Sequence, residues 1–235
     1  VKLGSSHWIL PLLLCCSILS IPTQRLSAQE YVYELGGRLG SSYYMGDAAR
    51  RAFVTSYASA LSLIGRYNSN FRWAWTTELG YRGLSGDTRY ADNVFPEGRT
   101  ARFSSYLLNL RLGGEFNFYP LSDKFRYLGT RSFSPYIGAG LAGSLAWSQS
   151  RVIPTPSVYC ALGVKYRLSA RLSLEAEWQW QHTWSDGLDA LQAGRTWLSD
   201  PYRLNASWIK NRDAFAVLSL GLTYQLKRRK QGQCD

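Results

Sequence analysis

The chain has 235 residues, a formal net charge of +11, nine Trp, sixteen Tyr and a single Met, Met45. That length admits one large β-domain or two small ones, and the aromatic weighting disfavours a helical bundle. Much of the basic excess is spread along extended segments, with one run at Lys227-Arg228-Arg229-Lys230, so the charge does not by itself point to nucleic acid.

Residues 1–28 read as an export signal: Lys2 precedes an apolar stretch from Trp8 to Ile21, and Leu26-Ser27-Ala28 offers a cleavage point before Gln29. Cys16 is a poor lipidation site because Cys15 precedes it where a small residue is wanted. Beyond the signal no segment approaches the roughly 18 to 20 consecutive apolar residues that a membrane helix needs.

The rest of the chain divides into eight extended segments, each with an apolar or aromatic side and a polar side. Tyr31 to Gly46 sets Tyr31, Tyr33, Leu35, Leu39, Tyr43 and Met45 against Glu34, Arg38 and Ser42. Tyr57 to Tyr67 is weaker, with Leu61 and Leu63 opposing Ser62 and Arg66, and Ile64 on the polar side. The tight turn Asn68-Ser69-Asn70 leads into Phe71 to Gly83, where Phe71, Trp73, Trp75, Leu79 and Tyr81 oppose Arg72, Thr76, Glu78 and Arg82.

Ser104 to Tyr119 opposes Tyr106, Leu108, Leu110, Leu112, Phe116 and Phe118 to Asn109, Arg111, Glu115 and Asn117. Pro135 to Trp147 places small residues, Gly138 through Ala146, on its inner side. Pro156 to Leu168 carries Lys165 and Arg167 inward. Arg171 to Trp184 opposes Leu172, Leu174, Trp178, Trp180 and Trp184 to Arg171, Glu175, Glu177, Gln179 and Gln181, and Asp213 to Leu226 closes the set.

The predicted architecture is an all-β, eight-stranded antiparallel transmembrane barrel of the outer-membrane type over residues 29–226, with both termini periplasmic and a basic periplasmic tail at 227–235. Predicted connections of about 10, 20, 9 and 29 residues alternate with connections of about 3, 13 and 2, as long outer loops alternate with short inner turns. A soluble calyx would show the same parity with its faces exchanged, but the Trp and Tyr at strand ends favour lipid outside. The lumen would then hold a charge network of Glu34, Arg38, Arg66, Arg72, Glu78, Arg82, Arg111, Glu115, Lys165, Arg167, Arg171, Glu175 and Glu177.

Chemistry is sparse. Gly138-Ala139-Gly140-Leu141-Ala142-Gly143 has dinucleotide-binding spacing, but the chain continues past it as a strand and no helix is there to receive a pyrophosphate. The one His beyond the signal, His182, sits on the lipid side with Trp180 and Trp184 and lacks a nucleophile at triad spacing. One His and the separated Cys160 and Cys234 give no metal cluster. The expectation is a protein without catalysis, cofactor or nucleic-acid partner. An open pore is disfavoured, since eight strands enclose a lumen that side chains fill. Cys234 is either a thiol for an intermolecular disulfide or an inert tail residue.

The order and spacing of Tyr43-Tyr44-Met45-Gly46-Asp47, Tyr119-Pro120, Pro135-Tyr136-Ile137-Gly138-Ala139-Gly140, Gly163-Val164-Lys165-Tyr166 and Trp184-Ser185-Asp186-Gly187-Leu188-Asp189 resemble the PorG-like family of small Bacteroidetes outer-membrane barrels, components of the type IX secretion system. Where that family often has Phe-Thr-Asp-Tyr-Leu-Asp-Asp, this chain departs at Trp184, Ser185, Gly187 and Ala190 and keeps Asp186 and Asp189. The resemblance implies a barrel in outer-membrane lipid that associates with a periplasmic ring lipoprotein and its partner subunit. The surfaces expected to meet them are Asp123, Lys124, Arg126 and Arg131 in the inner connection, and Lys227, Arg228, Arg229, Lys230 and Cys234 in the tail, with Cys234 the candidate for a disulfide to the ring. A small-solute pore or binding barrel with no secretion role is the alternative.

Overall fold

In the computed structural model, the described residues are 31–45, 57–87, 102–121, 131–148, 151–169, 171–184, 188 and 213–228. The strands are β1 (Tyr31–Met45), β2 (Tyr57–Asn68), β3 (Trp73–Asp87), β4 (Arg102–Asn117), β5 (Phe133–Ser148), β6 (Arg151–Arg167), β7 (Leu172–Thr183) and β8 (Ala214–Arg228). Each pairs antiparallel with its sequence neighbours, and β8 pairs with β1, so the sheet closes into a barrel with no free edge. We term the end at which β1 begins and β8 finishes the terminal end, and the opposite one the distal end.

The strand faces follow the sequence alternation, and the burial pattern is inverted relative to a soluble protein. Leu39, Leu63, Leu141 and Leu220 are each more than 60% exposed, whereas Arg66, Glu78, Arg111 and Glu175 are at most 3% exposed. Leucines dominate the middle of the outer face, including Leu79, Leu108, Leu110, Leu112 and Leu222. Aromatic rings flank them. Tyr33 and Tyr67 lie 5.4 Å apart and Trp73 and Phe116 5.0 Å apart towards the terminal end; Tyr81, Tyr106 and Trp147 cluster towards the distal end. A leucine belt between aromatic girdles is the surface of a barrel immersed in a bilayer.

Turn chemistry corrects two inward assignments. The Asn70 side-chain oxygen accepts from the backbone N–H groups of Arg72 and Trp73 at 2.9 and 2.7 Å, which makes Ser69 to Arg72 the turn and starts β3 at Trp73. Arg72 is therefore exposed on the turn and takes no part in the lumen. Arg171 is exposed in the same way, in the turn where the Ser169 hydroxyl oxygen accepts from the Leu172 N–H, and its guanidinium donates to the Tyr224 hydroxyl at 3.3 Å.

β6 starts five residues earlier than expected, at Arg151, leaving only residues 149–150 between β5 and β6 in place of a long loop. Pro154 and Pro156 are tolerated in it because the Pro156 carbonyl, accepting from Trp184 N–H, shows that this parity points at β7, whose pairing ends at Thr183. Their missing N–H groups face β7 at and beyond the end of its strand pairing, so the cost falls on the edge of the ladder and not on its middle. The last strand runs on to Arg228, so Lys227 and Arg228 belong to the barrel wall rather than to a tail.

Gly163 marks a close approach. A Cβ there would lie 2.5 Å from the Tyr136 ring, whose hydroxyl donates to Glu177 Oε2 at 2.7 Å. Gly163→Val should therefore displace the ring and cost about 1–3 kcal/mol, read as a lower urea midpoint in lipid vesicles; an unchanged midpoint would show that the ring has room to move.

Candidate functional site

The barrel interior is built in layers from inward positions on every strand. Towards the terminal end, Arg66 Nη1 donates to Glu34 Oε2 and Glu175 Oε1, both at 2.6 Å, and Arg66 Nε donates to Glu115 Oε2 at 2.9 Å. Asn68 and Gln225 donate to Glu34 Oε1 at 2.7 and 3.0 Å. Lys165 donates to Glu115 Oε2 at 2.5 Å and lies 4.4 Å from the centre of the Tyr136 ring.

In the middle layer Arg38 reaches Glu78, Glu177 and Glu175 at 3.0, 2.7 and 2.7 Å. Arg111 donates to Glu177 at 2.9 Å and also to Glu78, with its guanidinium 4.6 Å above the Tyr159 ring. Arg82 bonds Glu78 and Gln179, each at 3.0 Å, and Gln181 at 3.2 Å. Gln181 passes a bond on to Ser157 at 2.6 Å. The carboxylates Glu34, Glu78, Glu115, Glu175 and Glu177 thus hold Arg38, Arg66, Arg82, Arg111 and Lys165 in one contiguous network. Arg167 is also buried and inward but enters no ion pair among the described residues.

Above the network, at the distal end, lies an apolar layer that strand parity alone does not reveal. Tyr44, Leu84, Phe103, Leu107, Phe215, Val217 and Leu188 are buried together, with Ile153 packed against them. Tyr44 and Phe103 meet edge to face at 4.9 Å. Asp213 fixes the layer: it accepts from the Tyr44 hydroxyl and, at 2.8 Å, from the Leu188 N–H. The sequence signal lies in breaks of alternation, at Gly83-Leu84 and Leu107-Leu108, where an apolar residue takes an inward position. Among the described residues the apolar layer thus lies between the charged network and the distal end.

The residues with candidate chemistry lie elsewhere on the barrel. The Gly138 to Gly143 stretch lies wholly within β5, paired on both sides. His182 is half-buried on the outer face, its ring stacked on Trp180 at 5.7 Å, and Cys160 is an exposed free thiol on the same face. Among the described residues no group of three His, Cys, Asp or Glu side chains could hold a metal ion.

Of the proposed partner surfaces, Asp123, Lys124 and Arg126 lie outside the described residues, as do Arg229, Lys230 and Cys234 and the signal segment. Arg131 is exposed at the terminal end, its guanidinium 4.3 Å over the Tyr119 ring and its N–H on Pro120 C=O at 2.9 Å. The end of β8 at Lys227 and Arg228 lies at that same end.

A family model described as "Domain of unknown function (DUF6089)" matches residues 12–233. The chain belongs to the DUF6089 family. No curated protein matches it. Among solved structures it is similar to the outer membrane protein OprG from Pseudomonas aeruginosa, with 13% identity, 84% of this chain and 97% of that one covered, and a TM-score of 0.48. Neisserial surface protein A shares 12% identity over 83% of this chain and 97% of that one, with a TM-score of 0.47. Ail, the attachment invasion locus protein of Yersinia pestis, shares 11% over 84% of this chain and 100% of that one, with a TM-score of 0.46.

Proposed function

We propose that this DUF6089 barrel is a non-enzymatic anchor in the outer membrane, exported by its N-terminal signal, that docks or assembles the periplasmic ring of a type IX secretion machinery. The observation that supports the anchoring part is the filled lumen: a buried ion-pair network with an apolar layer above it suits a barrel that works through its ends. The secretion part rests on the sequence resemblance. With the termini periplasmic, Arg131 and the end of β8 share one end of the barrel, the end proposed to meet the ring lipoprotein and its partner subunit. Cys234 would add a covalent link there.

Deleting the gene and assaying proteins released to the medium tests the reading: release should fall and be restored by the wild-type gene. A Cys234→Ser variant should lose any high-mass adduct on a non-reducing gel. Unimpaired release would remove the secretion role, and a steady conductance of the purified protein in planar bilayers would replace the anchor with a solute pore.

A further inference from the structure

We infer that the terminal end of the lumen contains a binding site for a small oxyanion, phosphate or carboxylate, centred on Arg167. Five lumenal carboxylates are matched by five cations in direct ion pairs, and Arg167 is a sixth buried cation. Only 8% of it is exposed, its Nε has no hydrogen-bond partner, and it is in no ion pair among the described residues. A guanidinium whose Nε is out of water without a partner lacks a hydrogen bond that an oxyanion reaching it supplies, charge-assisted.

The neighbouring strands explain why the described residues do not supply the charge. The residue directly opposite Arg167 on β7 is Ser173, also buried, and on the β5 side the Arg167 N–H bonds the Ser132 carbonyl at 2.7 Å. Glu175, two positions along β7, already accepts from Arg38, Arg66 and Thr223, and Glu115 from Arg66 and Lys165. What remains is a guanidinium that carries no carboxylate of the described lumen, and the guanidinium edge with its free Nε is the donor pair that takes an oxyanion in two parallel bonds. Since Arg167 ends β6 at the terminal end, a ligand arrives from that mouth and not through the apolar layer. The site needs only the barrel and is independent of any secretion role.

The test compares urea unfolding of the full chain in lipid vesicles in sodium phosphate, sodium acetate and sodium chloride at equal ionic strength. Phosphate or acetate at about ten times its dissociation constant should shift the wild-type folding equilibrium about tenfold relative to chloride. Arg167→Gln should lose that increment, and Arg167→Lys should keep a reduced one. As a measurement that needs no variant, the Arg167 Nε–H resonance of the wild-type protein in nanodiscs should shift saturably with phosphate or acetate and not with chloride. A response to acetate alone would assign the site to carboxylates and one to phosphate alone to phosphate. Equal stabilisation of wild type and Arg167→Gln, or a resonance that follows ionic strength whatever the anion, would overturn the site.

Discussion

Glu175→Ala is expected to lower the unfolding free energy by about 3–5 kcal/mol, because it removes one carboxylate from between two buried guanidinium groups. Glu175 accepts from Arg38 at 2.7 Å, from Arg66 at 2.6 and 3.0 Å and from Thr223 at 3.0 Å, and it is 1% exposed. Arg38 keeps Glu78 and Glu177, but Arg66 is left to share Glu34 and Glu115, the second of which also serves Lys165. Removing a partner from such a network costs much more than the network gains over an apolar core, since the charges left behind remain out of water. Urea titration in lipid vesicles, followed by the heat-dependent gel shift of folded barrels, measures the loss. A change below about 1 kcal/mol, the range of exposed ion pairs, would mean that water enters the lumen and screens the charges.

Leu110→Arg should cost about 2–4 kcal/mol in the same assay, because Leu110 stands mid-strand on the outer face and a cation there meets the hydrocarbon centre. Leu110 pairs with Leu79 on one side and Gly143 on the other and is 46% exposed, among neighbours that are nearly all leucine. The same substitution nearer the girdles should cost only about 0–1 kcal/mol. That depth dependence separates a bilayer surface from an exposed protein surface, on which an arginine would be harmless. If Leu110→Arg left stability unchanged and the protein remained monodisperse without detergent, the outer face would not be facing lipid.

Most strands could be read directly because alternation needs only local chemistry. At Glu34, Arg38 and Ser42, or Glu175, Glu177, Gln179 and Gln181, the polar residues keep even spacing, and a strand must send all of them to one side. The misplacements fall at strand ends, where parity loses its meaning. Arg72 and Arg171 have inward parity on paper but sit in turns closed by Asn70 and Ser169 side chains, just before β3 and β7 begin, and both side chains are exposed. The early start of β6 was hidden by Pro154 and Pro156, which argue against a strand unless it is known that they face β7 where its strand pairing ends. The apolar distal layer draws one or two residues from each of several strands, from Tyr44 on β1 to Phe215 on β8, and no single segment carries enough of it to stand out.

The sequence alone determined that eight alternating strands exist, which side of each is charged, and that charge and bulk are balanced by small residues such as Gly138, Gly140 and Ala142. These are properties of one strand at a time. Only the closed tertiary structure decided which carboxylate meets which guanidinium, because Arg38 and Glu177 are 139 residues apart and Arg66 and Glu175 109 apart. Their meeting depends on register and closure, which set how the strands stagger around the barrel. The same closure leaves Arg167 opposite Ser173, with the described lumenal carboxylates already paired to other cations, and so turns an ordinary strand-end arginine into a largely buried side chain outside the ion-pair network of the described lumen.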